Sequence, residues 1–161
     1  MNIVTLDVET TTTKKPNGSW TPSPFFKNLL VSVGYKRITD VGVDYLCFHH
    51  EKETPTAGGF EQVRSALEWC DLLIGHNIKF DLMWLRECGW SYEGKLYDTM
   101  VGEYILAGSR RWPLSLAALA EKYDVGTKKK DLVQPYLDDG ITFDKIPYDI
   151  VEEYGKEDVL V

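Results

Sequence analysis

The sequence predicts an α/β domain, a sheet flanked by helices, and three observations lead there. Segments with strand character open the chain. After residue 59, helix-period segments alternate with strand-like ones. Helical segments then close the chain. Strands first, followed by strand and helix mixed, is how a helix-covered sheet reads in sequence.

Taken in order, Ile3-Val4-Thr5-Leu6 is an apolar run, so residues 2–8 read as a buried first strand. Residues 29–35 read as a second strand, with Val and Ser alternating. Between them, residues 10–28 hold Pro16, Asn17-Gly18, Pro22 and Pro24 and predict a long loop, because these residues preset turn geometry and interrupt ladders. Residues 43–49 suit a third strand, with Tyr45, Cys47 and His49 on one face by period 2. Phe60, Val63, Ala66, Leu67 and Cys70 fall at helical spacing. Residues 72–75 form a short buried strand, and Ile78, Leu82, Leu85 and Cys88 place a helix at 78–88. Residues 95–97 suit a last short strand, and helices follow at 99–106 and 114–122 around a loop at 107–113. Residues 124–140 are polar and poorly periodic and read as irregular. Pro147 suits the first turn of a final helix, where its missing N–H would go unpaired anyway.

At 161 residues and 43% hydrophobic, the chain fits one domain able to bury a core. Its apolar runs fall far short of the roughly 20 residues a membrane-spanning helix needs, and no secretory leader pattern opens it. Cys47, Cys70 and Cys88 are odd in number and widely spaced, which suits a reducing, cytoplasmic setting. The net charge of −7 argues against a broad nucleic-acid-binding face, but its distribution is uneven. Residues 1–40 carry five Lys or Arg against three acids, whereas residues 138–158 hold eight acids and two lysines.

Candidate chemistry lies in carboxylates spread along the chain: Asp7 and Glu9, Asp81, and Asp158. Asp7 and Glu9 are i and i+2 on a strand, so they project from one face about 7 Å apart. Tyr154 and Asp158 are i and i+4 on a helix, again on one face. A fold that gathered these acids would need bound cations to relieve their mutual repulsion. Acid-rich sites of that kind hold Mg2+ or Mn2+ and act on phosphates.

In order, Leu6-Asp7-Val8-Glu9-Thr10, Gly75-His76-Asn77-Ile78-Lys79-Phe80-Asp81 and Tyr154-Gly155-Lys156-Glu157-Asp158 resemble the three motifs of the DEDD 3′–5′ exonuclease superfamily, tyrosine-type branch. The segments Tyr97-Asp98-Thr99-Met100, Tyr104-Ile105-Leu106, Ser115 to Ala120 and Ile141 to Pro147 extend the likeness to the proofreading domain of family A DNA polymerases, bacterial and phage. Residues 11–28 and 41–55 match least. The resemblance implies a ribonuclease H-like fold with a central mixed sheet, and an exonuclease domain spanning 1–161. It implies removal of nucleoside 5′-monophosphates from a single-stranded or frayed DNA 3′ end by two divalent metal ions, Mg2+ or Mn2+.

Matched by position, Asp7 would bridge both metals, Glu9 and Asp158 would complete one site, and Asp81 would serve the other through water. Tyr154 would align the attacking water, and Thr10, Asn77 and Phe80 would touch the terminal nucleotide. A polymerase domain would accompany it in the parent protein, in a bacterial or phage-infected cell. Two alternatives stay open: an exoribonuclease of the ribonuclease D kind, and a weakened domain that binds ends without cutting.

Only three residues follow Asp158, so the final helix is expected to be cut short, with Asp158 in a turn prone to fraying. His76 reads as structural. Cys47-Phe48-His49-His50 lacks a second ligand pair and reads as strand packing rather than zinc. Lys128-Lys129-Lys130 reads as a solvated charge run, Arg110-Arg111-Trp112 as a loop, and Trp20, Trp69, Trp84 and Trp90 as core or loop anchors.

Overall fold

A computed structural model describes residues 1–108, 110, 112–126 and 129–161; Arg111 and Lys128 of the two basic runs lie outside the described residues. The first strand, β1 (Ile3–Thr10), runs two residues further than predicted and so carries both acids. Val4, Leu6 and Val8 are buried on one face, while Asp7 is half-buried on the other, as the strand period requires.

Residues 10–28 depart from the loop expectation. β2 (Thr13–Lys14) and β3 (Trp20–Thr21) pair as a short antiparallel ribbon, and Pro24–Phe26 form a 3-10 turn. The proline and Asn-Gly signals marked turns but could not reveal the Asn28 side chain, which is buried and ties the segment together. Its Nδ2 donates to the Thr21 and Ser23 carbonyls at 2.8 Å each, and its Oδ1 accepts from Thr13 Oγ1 at 2.8 Å.

β4 (Leu30–Arg37) runs antiparallel to β1, and β5 (Asp44–Cys47) runs antiparallel to β4. β6 (Leu72–Gly75) is parallel to β1, and β7 (Lys95–Asp98) is parallel to β6. The sheet order is therefore β5-β4-β1-β6-β7, mixed as expected. The β1–β4 register shifts between Glu9 and Thr10; such bulges re-aim side chains beside functional sites.

Helices α1 (Gly59–Trp69), α2 (Lys79–Glu87), α3 (Thr99–Ala107) and α4 (Leu116–Tyr123) lie within two residues of the periodic segments. α5 (Lys130–Asp138) was not foreseen in the irregular stretch. It is short, polar and carries Pro135, so its stability comes from docking Val133 against Val31, Ile146 and Val151 rather than from local propensity. α6 (Tyr148–Leu160) starts just after Pro147, which caps it rather than occupying its first turn.

The main core joins the even face of β1 to α1 and α2 through Val63, Leu67, Trp84 and Leu85, with Trp90 beside them. α6 covers the opposite face, burying Val151, Tyr154, Gly155 and Val159 at helical spacing. Two glycines set how closely it approaches. A Cβ on Gly34 would fall 2.9 Å from Val159, and one on Gly155 would fall 2.5 Å from the Tyr45 hydroxyl oxygen and nearer still to its ring.

Gly155→Ala should therefore push α6 off the sheet and destabilise the domain by about 1–3 kcal/mol, the usual range for overpacking. A lowered urea midpoint at unchanged m-value would show it; an unchanged midpoint would mean that Tyr45 yields freely.

Candidate metal centre

β1 delivers Asp7 and Glu9 from one strand face, and α6 lays Asp158 over them. One carboxylate oxygen from each of the three residues lies within 4.8 Å of the others. Among the described residues these acids form the group able to hold a metal ion. Glu9 is 9% exposed, and Asp158 Oδ1 is a buried oxygen. A compact set of hard carboxylate oxygens, partly removed from water, fits a divalent Mg2+ or Mn2+ and does not fit a soft-ligand metal.

Asp158 is not at a loose end. The next residue, Val159, is buried against Gly34, the strand residue directly opposite Asp7. This contact packs the last turn of α6 on the sheet, against the fraying expected from its place in the sequence.

Asp81 stands apart from the three-acid group but still feels it. It lies in the first turn of α2, 2% exposed, and its Oδ1 accepts the Val8 N–H at 3.1 Å. Burial holds its carboxyl well above the usual carboxylate range, and the Asp7 charge adds to the effect. The Val8 N–H pulls the other way, and Asp98 contributes a further raising charge.

Tyr154 is 8% exposed and packs against Phe143, with ring centroids 5.7 Å apart. Burial first, then the charges of Glu9, Asp158 and Asp7, push its phenol far above its ordinary value, and a hydrogen bond to Asp158 adds to the shift. The hydroxyl therefore stays protonated at neutral pH and acts as a donor.

Three supporting groups escaped sequence reasoning. Ser32 faces Glu9 across the β1–β4 ladder, and its Oγ lies 2.6 Å from the Tyr45 hydroxyl. Burial and the nearby Glu9 charge push the Tyr45 phenol upward, so it too stays neutral at neutral pH. Asp98 caps α3 and accepts backbone N–H groups of Asn77, Ile78, Met100 and Val101 at 2.9–3.3 Å. An Asp just before an apolar helical run is a readable N-cap signal; its reach to the 77–78 turn is not.

The three expected nucleotide contacts take varied places. Asn77 adopts φ +61°, a left-handed conformation that Asn tolerates better than most residues, so the turn into α2 already accounts for its type. Thr10 is 5% exposed at the strand bulge, and Phe80 is half-buried against the main core. His76 Nδ1 lies 2.9 Å from Thr99 Oγ1, and the ring borders a small cavity shared with Asp7 and Asp158. His50 binds the Ile146 carbonyl and caps backbone N–H groups of Lys52 and Glu53, which supports packing over zinc. Lys129 pairs with Glu153 and Glu157 on α6. Of the tryptophans, Trp84 and Trp90 are core residues, whereas Trp20 is 53% exposed.

A family model described as 3′–5′ exonuclease (DNA_pol_A_exo1) matches residues 37–161. The span contains Asp81, Tyr154 and Asp158 but not Asp7 or Glu9, which the fold brings to Asp158. Among solved structures, one titled apo form of the nuclease aligns over 98% of this chain at 15% identity and a TM-score of 0.50. Brucella melitensis NrnC aligns over 98% at 15% identity and a TM-score of 0.49. This chain spans 66% of each of those chains. No curated protein matches it. Among the described residues, no helix is long and apolar enough to cross a membrane.

Since Asp81 carries its proton to higher pH folded than unfolded, its contribution favours the folded state on acidification and is lost as pH rises through the folded value. Asp81→Asn keeps the acceptor for Val8 and removes the charge. In chelator at neutral pH it should raise Tm by roughly 2–4 °C, with the difference shrinking toward acid pH. A lower Tm at neutral pH would overturn the assignment of repulsion at this site.

Proposed function

The chain belongs to the 3′–5′ exonuclease family, and from that premise we propose that it removes nucleoside 5′-monophosphates from DNA 3′ ends by hydrolysis assisted by two divalent cations, Mg2+ or Mn2+. The observation that carries the proposal is the convergence of Asp7, Glu9 and Asp158 within 4.8 Å, with the Tyr154 hydroxyl beside Asp158. When bound, such ions supply a water of lowered pKa and stabilise charge on the attacking and leaving oxygens.

The protein's own residues do the rest. Asp7, Glu9 and Asp158 would hold the ions, with Asp7 shared between two of them and Glu9 and Asp158 completing the tighter position. Asp81, outside the three-acid group and with one oxygen held by Val8, would serve the second position through water. Tyr154 holds a neutral hydroxyl among three carboxylates, which suits it to orient a water by donating or accepting a hydrogen bond rather than to remove a proton. Ser32 and Tyr45 brace the strand under Glu9. No nucleophilic side chain is required.

Thr10, Asn77 and Phe80 are proposed to border the terminal nucleotide. The polymerase-type family match favours DNA over RNA as substrate. On this reading residues 1–161 form one exonuclease domain that proofreads a frayed 3′ end beside a polymerase.

Matched DNA and RNA oligonucleotides incubated with Mg2+ or Mn2+ provide the test. Mononucleotide release from the 3′ end of DNA is expected; a strong preference for RNA would replace the substrate, and cleavage in chelator would remove the metal mechanism. Asp7→Ala should lower kcat/KM by about 10³-fold or more while the fold persists. Tyr154→Phe should lower kcat by about 10–100-fold with metal binding retained, as expected for loss of an orienting hydroxyl.

A further inference from the structure

The segment between β1 and β4 is tied together by hydrogen bonds yet leaves large apolar side chains outside. Asn28 and Thr21 are buried, and Thr11 closes the base through the Leu29 backbone in both directions. Trp84 Nε1 donates to the Pro22 carbonyl at 3.1 Å, which fastens the segment to α2. Against this frame Trp20 is 53% and Phe25 69% exposed, and Phe26 and Leu29 are also exposed.

The same segment is cationic within an acidic chain. Residues 11–29 hold Lys14, Lys15 and Lys27 and no acid, against a net charge of −7 overall. Lys15 Nζ sits 5.1 Å from the Phe26 ring centroid, so the cation is held at the aromatic surface. Phe25 also borders a cleft of about 520 Å³ along α2, whose wall carries Lys79 and Arg86 beside Glu87 and Asp98. The segment begins two residues after Glu9. Thr13 is four residues beyond that acid, at most about 14 Å along the chain.

Aromatic faces interleaved with cations are what a flexible single strand needs, since bases stack on the rings and phosphates meet the cations. On a chain of net charge −7, a segment with three lysines and no acid attracts such a strand. We propose that residues 11–29 form a platform for the unpaired nucleic-acid strand behind the terminal nucleotide, with Trp20 and Phe25 as stacking surfaces and Lys14, Lys15 and Lys27 at its phosphates. The proposal rests on the exonuclease reading, and it lies outside the residues matched by the family model.

Equilibrium binding of a short oligothymidylate in chelator, followed by fluorescence anisotropy, tests it without turnover. Trp20→Ala and Phe25→Ala should each weaken binding by about ten-fold, whereas Trp20→Phe should stay within about two-fold of the parent. Lys14→Ala should lower the slope of log affinity against log salt by about 0.7. Affinity unchanged in the Trp20→Ala/Phe25→Ala double variant, with an unaltered circular dichroism spectrum, overturns the platform. So does dissociation of a wild-type dimer by that variant at unchanged oligonucleotide affinity, which would assign the patch to a second copy. Mononucleotide release with unaltered KM in the double variant sinks the platform and leaves the exonuclease standing. Lost binding in the variant, together with no release by the wild type in Mg2+ or Mn2+, supports the platform and removes the exonuclease.

Discussion

Helix α6 reaches the sheet at glycine distance, and the acid cluster depends on that approach. Gly155 meets the Tyr45 ring, and Val159 meets Gly34 on the strand beside β1. The two contacts bracket Asp158 and hold it over Asp7 and Glu9. A larger residue at either glycine would move a ligand on a scale comparable to the tolerance of a metal site, because a packed interface transmits displacement rather than absorbing it. Tyr45 also bonds Ser32 opposite Glu9, so the residue that receives the helix braces the strand as well.

Gathering carboxylates in this way opposes folding. Burial and the Asp7 charge hold the Asp81 carboxyl well above the usual carboxylate range, and Tyr154 is surrounded by negative charge. The main core on the other face of the sheet supplies the compensating stability, through Val4, Leu6, Val8 and the aliphatic faces of α1 and α2. The separation is physical: period 2 in β1 sends aliphatic side chains to one side and acids to the other. Asp98 links the two regions, since it caps α3 while holding the turn from which α2 and Asp81 begin.

Legibility followed locality. Strands and helices with clear period, such as Leu72–Gly75 and Gly59–Trp69, were readable because burial repeats within a few residues. α5 escaped although Leu132, Val133, Tyr136 and Leu137 fall at helical spacing, because Pro135 within it reads as a helix breaker. The ribbon at 13–21 was hidden because its keystone, Asn28, is indistinguishable in sequence from any loop asparagine. Asn77 carries two meanings: its motif position suggests nucleotide contact, while its left-handed backbone explains the residue without one.

By itself, the sequence determined which residues could share a face: Asp7 with Glu9 through strand period, and Tyr154 with Asp158 through helical period. It also identified the motif order that marks the family. Only the tertiary structure decided that these pairs meet, that Asp81 stays outside the three-acid group, and that Asp158 is secured by Val159. Backbone geometry imposes spacing along an element, so pairs within one element are legible. Distances between elements are set by packing among residues remote in sequence, and two glycines and a tyrosine supply that packing here.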